Sequence, residues 1–260
     1  MSNHIKFASD IAYQTGELLL EYFKSTNLET HLKVDRSVVT EADYAAERLI
    51  MDAIREHYPN EAILSEEMRG VFSYDANQPV WIIDPLDGTT NFSLGLHIWG
   101  VLITRLKAGW PEMTVMYFPL IDELYHAQYG EGAYFNGERI QSQLPERQRP
   151  LSFFACCSRT FRRYQVSIPY KVRILGSAAY SFCALARGIA LIAFEATPKI
   201  WDIAGAWLLV RESGGVIETL GGSVPFPLKS GLVYTRLNFP MLGAPNIELM
   251  EKSREQINLN

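Results

Sequence analysis

The sequence has few cysteines, no excess of basic residues and no long apolar run. Its three cysteines, Cys156, Cys157 and Cys183, are too few and too irregularly spaced for a disulfide framework or a zinc site. They fit a reducing, cytoplasmic setting. The formal net charge of −5 argues against a nucleic-acid partner, because a phosphate backbone requires a basic surface. No segment reaches the roughly 20 apolar residues of a membrane span, and the first residues lack the apolar core of a signal peptide.

What is present describes an ordinary globular protein. Of 260 residues, 48% are hydrophobic and 20% charged, which is ample for a buried core. The polar run over 141–150 is the best candidate for a domain boundary. We therefore expect an N-terminal α+β part over 1–150 and a C-terminal α/β part over 151–260, although the two parts could also form one unit.

Hydrophobic periodicity predicts the main elements. Apolar residues at helical spacing predict helices over 3–24 and from about Thr40 to His57. Shorter helices are expected over 176–187 and 203–211. Strands are expected over 62–64, 97–106, 113–118, 124–129, 133–135, 151–156, 172–175, 189–194, 216–218 and 231–235. Alternation of strands and helices predicts a layered α/β architecture, mixed α+β and α/β in class.

The most informative segment runs from Trp81 to Phe92. An apolar, β-branched run ends in Asp84 and Asp87, which are separated by Pro-Leu, and Gly-Thr-Thr then opens a helix. Acids at a strand end can bind a hard cation, and the first N–H groups of a helix can bind a phosphate. The segment predicts a metal-dependent phosphate-ester site. A plain strand and turn is the alternative, since Pro and Asp-Gly are ordinary turn residues.

Three further acids lie in suggestive settings. Glu66 follows the short strand over 62–64, where a solvated acidic loop is the alternative. Asp202 opens an apolar helix, and an acid there can also cap that helix. Thr40 and Asp43 have the spacing of a helix capping box, which explains them without any catalytic role.

Three segments together resemble the inositol monophosphatase family. Residues 84–91 match its Asp-Pro-x-Asp-Gly-Thr-x-Asn signature, and residues 201–215 match its Trp-Asp-x-Ala-Ala…Ala-Gly-Gly signature. In the second, Gly205 and Ser213 stand where the family has alanine. Residues 39–43 are similar to its Val-Thr-x-x-Asp segment. The resemblance implies a layered αβαβα sandwich of the sugar-phosphatase type and a magnesium-dependent, lithium-sensitive phosphatase.

The resemblance also implies a role for each matched residue. Up to three Mg²⁺ would be bound by Glu66, Asp84, the backbone carbonyl of Leu86, Asp87 and Asp202. Gly88 and Thr89 would donate N–H groups to the phosphate. Thr89 and Asp43 would orient the attacking water, and Glu66 belongs with them to the catalytic set. No Ser-His-Asp or Cys-His arrangement stands out, which agrees with direct attack by water.

Selectivity is expected from the second half of the chain. Glu195 ends a predicted buried strand and matches a family acid that contacts substrate hydroxyls, with an exposed loop acid as the alternative. Gly176, Ser177 and Ala178 resemble the loop that lines the sugar pocket. These residues favour a small polyol phosphate, foremost inositol 1-phosphate. Histidinol phosphate and fructose 1,6-bisphosphate remain open, as does a non-enzymatic binding role, and family members are commonly homodimers.

Overall fold

The computed structural model describes residues 2–24, 30–32, 38–142 and 152–260. The helices within these ranges are α1 (Asn3–Lys24), α2 (Glu41–His57), α3 (Thr89–Ser93), α4 (Thr160–Arg163), α5 (Ala178–Ala186), α6 (Ile200–Glu212) and α7 (Ile247–Glu255). The strands are β1 (Thr30–Leu32), β2 (Val38–Thr40), β3 (Ala62–Ser65), β4 (Val80–Asp87), β5 (Gly100–Lys107), β6 (Trp110–Phe118), β7 (Glu123–Gln128), β8 (Gly132–Phe135), β9 (Glu138–Ile140), β10 (Phe153–Cys156), β11 (Tyr164–Val166), β12 (Lys171–Arg173), β13 (Ala190–Glu195), β14 (Val216–Thr219), β15 (Met241–Ala244) and β16 (Ile257–Leu259).

The larger sheet has helices on both faces, and β4 shows why. Its seven strands run in the order β3 to β9, with β3 and β4 parallel and the remaining pairs antiparallel. Successive side chains of a strand point to opposite faces. Trp81 and Ile83 pack into the cluster formed with α1 and α2, whereas Val80 and Ile82 pack into the cluster formed with α5 and α6. A strand buried on both faces is accordingly a continuous apolar run.

The smaller sheet completes the layers. Its five strands lie in the order β12-β10-β13-β15-β14, and β10 is parallel to both of its neighbours. One face packs against α5 and α6. The other packs on a third cluster that includes Tyr164, Met250 and Ile257, contributed by β11, α7 and β16. The layers are therefore α1 and α2, the larger sheet, α5 and α6, the smaller sheet, and an outer α layer, as expected for an αβαβα sandwich.

Close approach of α6 to the larger sheet depends on Gly205. A Cβ atom at this position would lie 2.9 Å from Thr104 Oγ1 and closer still to Thr114 Oγ1. These two hydroxyls, on β5 and β6, hydrogen-bond each other at 2.9 Å. The glycine lets the helix backbone rest on this threonine pair, so the departure from the family's alanine has a packing reason.

Most predicted elements are confirmed, with ends shifted by a few residues. The predicted strand over 231–235 is wrong. Gly231 has a φ of +82°, and a 3₁₀ helix covers Tyr234–Arg236. The Tyr234 hydroxyl accepts a hydrogen bond from the Lys229 amide and donates to the Lys229 carbonyl, which closes a turn instead of extending the chain. The consecutive apolar residues Leu232 and Tyr234, with Val233 between them, belong to a loop, from which Leu232 and Tyr234 pack against the core.

The predicted domain boundary lies mostly outside the described residues. Of the boundary predicted over 141–150, residues 143–150 lie outside the described residues, as does Leu151 at the start of a predicted strand. The division into 1–150 and 151–260 stays a prediction, although one core cluster contains apolar residues from both halves.

Among the described residues, no helix combines the length and apolar character that a membrane crossing requires.

Candidate active site

A bulge at the end of β4 turns Asp84 and Asp87 to one side. Asp84 pairs with Leu102 and Asp87 pairs with Gly100, so three steps along β4 are matched by two along β5. In a regular strand, residues three apart would point to opposite faces. The extra residue removes that alternation, as β-bulges do. The Pro-Leu spacer is therefore what brings both carboxylates to the same cleft.

Asp202 reaches the same cleft from the first turn of α6. Its Oδ2 accepts a hydrogen bond from the Lys199 backbone amide at 2.7 Å, so it caps the helix as one interpretation expected. The cap does not remove it from the site. Carboxylate oxygens of Asp84, Asp87 and Asp202 all lie within 4.8 Å of one another. Oxygen ligands grouped this closely suit a hard divalent cation.

Glu66 stands at the edge of this cluster. Because β3 is parallel to β4, its carboxyl end lies beside the acids, and the Glu66 amide donates to the Ile83 carbonyl at 3.3 Å. Glu66 lines the same cavity as the three aspartates but is not within their 4.8 Å group. Its charge nevertheless raises the pKa values of all three aspartates.

Burial dominates the electrostatics of the cluster. Desolvation is the largest cause that raises the pKa of Asp84, followed by the charges of Glu66, Asp87 and Asp202. Desolvation also raises the pKa of Asp87 to about 6, and the hydrogen bond from Ser177 limits that rise. Desolvation is also the largest cause that raises the pKa of Asp202, followed by the charges of Asp87 and Glu66. Crowded carboxylates of this kind gain most from a bound cation, which favours the charged form.

Asp43, Thr40 and Thr89 form a hydrogen-bonded chain beside the cluster. Asp43 Oδ2 accepts from the Thr40 amide at 2.8 Å and from the Thr40 hydroxyl at 2.6 Å, so the predicted capping box is present. The Thr89 hydroxyl lies 3.2 Å from Asp43 Oδ1 and 2.9 Å from the Leu86 carbonyl oxygen. A hydroxyl has one proton, so it donates to one of these acceptors at a time. Leu86 in turn donates its amide to Asp84 Oδ1 at 3.0 Å.

Gly88 makes the turn from β4 into α3 possible. Its φ is +85°, and a Cβ atom would lie 2.9 Å from the Ile98 carbonyl oxygen. Both the left-handed backbone and the close contact require glycine. Gly88 and Thr89 therefore line the cavity next to the aspartates, where the sequence predicted them.

The loop over 176–178 docks onto the aspartates. Ser177 caps α5 by accepting from the Tyr180 amide at 3.0 Å and donates its hydroxyl to Asp87 Oδ2. The backbone amides of Ala178 and Ala179 also hydrogen-bond Asp87. Asn91 fixes this loop, because its amide donates to the carbonyls of Ile98 at 2.7 Å and Leu175 at 2.8 Å.

Glu195 lies at the end of β13, buried, on the far side of the cavity. Desolvation is the main cause that raises its pKa to about 8, and hydrogen bonds from Ser181 and Cys157 partly offset it. The interpretation as an exposed loop acid is wrong, since only 4% of the residue is exposed. A buried carboxyl at the wall of a polar cavity is suited to hydrogen bonding with ligand hydroxyls.

The cavity that these residues line has a volume of about 330 Å³. The structure adds Cys157, Arg159 and Thr197 to its wall, none of which the sequence singled out, and Asn91, which the sequence identified only as the last residue of a signature. Cys156 ends a buried strand as expected, whereas Cys157 lies just beyond it and faces the cavity. The parallel pairing of β10 with β13 explains the position of Cys157, Arg159 and Thr197, because residues that follow parallel strands meet at one edge of the sheet.

Comparisons with known proteins agree with this geometry. A profile described as the inositol monophosphatase family matches residues 1–253. A fructose-1,6-bisphosphatase/inositol-1-monophosphatase from Thermotoga maritima is 31% identical over 244 residues, covering 89% of this chain and 93% of that protein. Inositol monophosphatase 1 from Bos taurus is 32% identical over 250 residues, covering 89% and 88%. The crystal structure of the extragenic suppressor protein suhB from Bartonella henselae superposes with a TM-score of 0.80 at 26% identity, covering 98% of each chain.

The raised pKa of Glu195 predicts how stability depends on pH without metal. The pKa of Glu195 is about 8 in the folded state and 4.5 in the unfolded state. The contribution of Glu195 to the free energy of unfolding is therefore fully present below pH 4.5 and is lost as pH rises towards 8. In chelator, Glu195→Gln should match the wild-type free energy of unfolding near pH 5. Near pH 8.5 it should exceed wild type by a few (~2–4) kcal/mol. Urea titrations at both pH values measure this, with exposed Glu138→Gln as control. Equal wild-type and Glu195→Gln stability at pH 8.5 would contradict it.

Proposed function

Because the chain belongs to the inositol monophosphatase family and is a phosphoric monoester hydrolase, we propose that it hydrolyses a small polyol phosphate in a magnesium-dependent reaction. Water attacks phosphorus directly, without a covalent protein intermediate. The observation that carries this proposal is the group of carboxylate oxygens from Asp84, Asp87 and Asp202 within 4.8 Å, next to the helix that follows Gly88.

The residues present fit a bound metal. Buried carboxylates with raised pKa values and an adjacent backbone carbonyl form an all-oxygen donor set, the kind that Mg²⁺ prefers. We assign Glu66, Asp84, the Leu86 carbonyl, Asp87 and Asp202 to magnesium. When bound, the metal supplies neutralisation of phosphate charge and lowers the pKa of water.

The protein orients the attacking water through Thr89 and Asp43. The Thr89 hydroxyl can accept a hydrogen bond from water while it donates its own proton to Asp43 Oδ1, 3.2 Å away. Asp43 is held for this role, because its other oxygen takes both Thr40 donors. We assign the backbone N–H groups of Gly88 and Thr89 to the phosphate oxygens. Glu66 completes the catalytic set at the metal edge.

The substrate assignment depends on the opposite wall of the cavity. Glu195 offers a buried carboxyl there, and Gly176, Ser177 and Ala178 form a small-residue rim. Polyol hydroxyls are suited to pair with such a carboxyl, which favours inositol 1-phosphate. Histidinol phosphate and fructose 1,6-bisphosphate are the alternatives, and the Thermotoga maritima relative is named for both fructose-1,6-bisphosphatase and inositol monophosphatase activities.

We also propose that the protein is a homodimer. Exposed apolar residues lie on two segments that meet at Asn91, whose side chain bonds the Leu175 carbonyl. The exposed fractions are 70% for Leu94, 51% for Leu96 and 52% for Ile174. Apolar side chains grouped on a surface are typical of protein interfaces.

Replacing Asp87 tests the metal assignment. Asp87→Asn should lower kcat by more than about 100-fold, because even residues that only orient metal ligands cost roughly 10–100-fold. It should also reduce the rise in melting temperature on adding Mg²⁺, since ligand binding stabilises only the state that binds. Phosphate release and thermal denaturation measure these effects. Exposed Asp75→Asn is the control, and a near-normal kcat in Asp87→Asn would overturn the assignment.

A panel of esters tests the substrate. Inositol 1-phosphate should be hydrolysed with Mg²⁺, at a higher kcat/KM than histidinol phosphate, fructose 1,6-bisphosphate or phosphoadenosine phosphate, and Li⁺ should inhibit. Phosphate release with and without each ion is the measurement. A different preferred ester would replace the substrate but keep the reaction. Absence of Mg²⁺-dependent release from every ester would favour the binding role.

The dimer proposal has its own test in solution. Leu96→Glu should convert the dimer to monomer, because a charge at the centre of an apolar contact is costly to bury. Sedimentation velocity at several protein concentrations measures the mass. Val224→Glu, at an apolar residue that is 59% exposed and lies elsewhere, is the matched control. A monomeric wild-type protein across that range would rule the proposal out.

A further inference from the structure

A second cavity of about 690 Å³ adjoins the catalytic one. Glu66, Arg159, Thr197 and Asp202 line both cavities, so the two cavities share a wall beside the carboxylate cluster. A molecule whose phosphate occupies the catalytic cavity could therefore extend along the shared wall towards the second cavity. The proposed function makes no use of this space.

Four cationic side chains line the second cavity: Arg69, Arg159, Lys199 and Arg236. They come from four separate segments. Arg69 follows β3, Arg159 follows β10, Lys199 follows β13, and Arg236 lies in the loop before β15. Arg159 donates to the Thr197 hydroxyl at 3.0 Å, and Lys199 donates its ammonium to the Thr235 carbonyl at 2.7 Å. Both are thus held by uncharged acceptors of the cavity wall.

The carboxylate cluster does not pair with these arginines. Within the described ranges, none of the ion pairs involves Arg69, Arg159 or Arg236. Arginines that served to neutralise the acids would pair with them directly. Once a divalent cation balances Glu66 and Asp202, Glu67 is the remaining acid among the described residues that line this cavity, and four cations against one acid leave the wall positive and able to attract an anion.

A β-bridge fixes the two segments that carry Arg69 and Arg236 relative to each other. Phe72 and Leu232 form a β-bridge, in which the Phe72 amide donates to Leu232 and the Gly231 amide donates to Phe72, both at 2.8 Å. The bridge ties the segment that carries Arg69 to the segment that carries Arg236. Between the cations, Met68, Trp201 and Val233 provide apolar wall.

We propose that this cationic cavity binds a second anionic group, a phosphate or carboxylate, of an ester whose scissile phosphate lies in the catalytic cavity. The inference rests on the proposed function and refines its substrate class. The arginines supply charge-assisted hydrogen bonds to the anion. The apolar wall contacts the carbon skeleton that joins the two groups. Esters with a second anion are therefore bound more tightly than otherwise identical monoesters.

Matched ester pairs and matched variants test this. One pair is fructose 1,6-bisphosphate with fructose 1-phosphate, and the other is 3-phosphoglycerate with glycerol 3-phosphate. In Arg69→Gln and Arg236→Gln, KM for the doubly anionic member should rise about tenfold with kcat unchanged, because binding is lost equally from ground and transition states. KM for the monoester should stay within about twofold. Arg139→Gln, an exposed cation on β9, should change neither.

Each outcome has a distinct meaning. A KM rise for fructose 1,6-bisphosphate alone assigns the cavity to phosphate, whereas a rise for both doubly anionic esters assigns it to anions in general. Equal KM rises for monoesters and doubly anionic esters, or no rise at all, would overturn the inference while leaving the proposed function standing. Absence of Mg²⁺-dependent phosphate release from every ester would instead overturn the proposed function, and the inference with it.

Discussion

Repulsion among buried carboxylates is the constraint on which this site depends. Asp84, Asp87 and Asp202 present oxygens within 4.8 Å of one another although desolvation and mutual charge oppose their ionisation. Left to themselves, flexible carboxylates would turn away from each other. They are held because each accepts a hydrogen bond from the protein: Asp84 from the Leu86 amide, Asp87 from the Ser177 hydroxyl and Asp202 from the Lys199 amide.

The layered fold delivers these donors from different directions. Asp84 and its donor belong to the bulged end of β4, in the larger sheet. Ser177 begins α5, and Lys199 precedes α6, so the N-termini of both central helices open towards the acids. The positive end of a helix dipole stabilises negative charge there. The central helix layer therefore does more than fill the space between two sheets, since it offsets part of the repulsion that a metal would offset fully.

Local signals in the sequence were sufficient to predict most of the acids at the site. The Asp84 to Thr89 segment, the acid at the start of α6 and the Thr40–Asp43 capping box each contain their own geometry within a few residues. The αβαβα class followed from the resemblance to a family, not from periodicity alone. The strand predicted over 231–235 was wrong because a short apolar run can also fill a core from a turn, here closed by Tyr234.

Contacts between distant segments could not be read from the chain. The bond from Ser177 to Asp87 joins residues 90 positions apart, and no periodic pattern encodes that meeting. The same holds for Arg69 and Arg236, which line one cavity and whose segments are joined by the bridge between Phe72 and Leu232. The requirement for glycine at position 205 comes from Thr104 and Thr114 on the facing sheet, about 90 to 100 positions away in the sequence. Such features depend on how layers pack, and packing is a property of the folded chain.

An acid such as Asp43 or Asp202 can cap a helix and also act in the site, because a carboxylate has more acceptor sites than a cap uses. A carboxylate has two oxygens with about four lone-pair sites, and a helix cap uses one or two of them. In Asp43, Oδ2 takes both donors of Thr40 while Oδ1 faces the Thr89 hydroxyl. The cap removes the rotational freedom that would otherwise be lost when the second oxygen acts. An acid at the third position of a helix is thus already oriented, and a site assembled from such acids needs little further ordering when its ligands arrive.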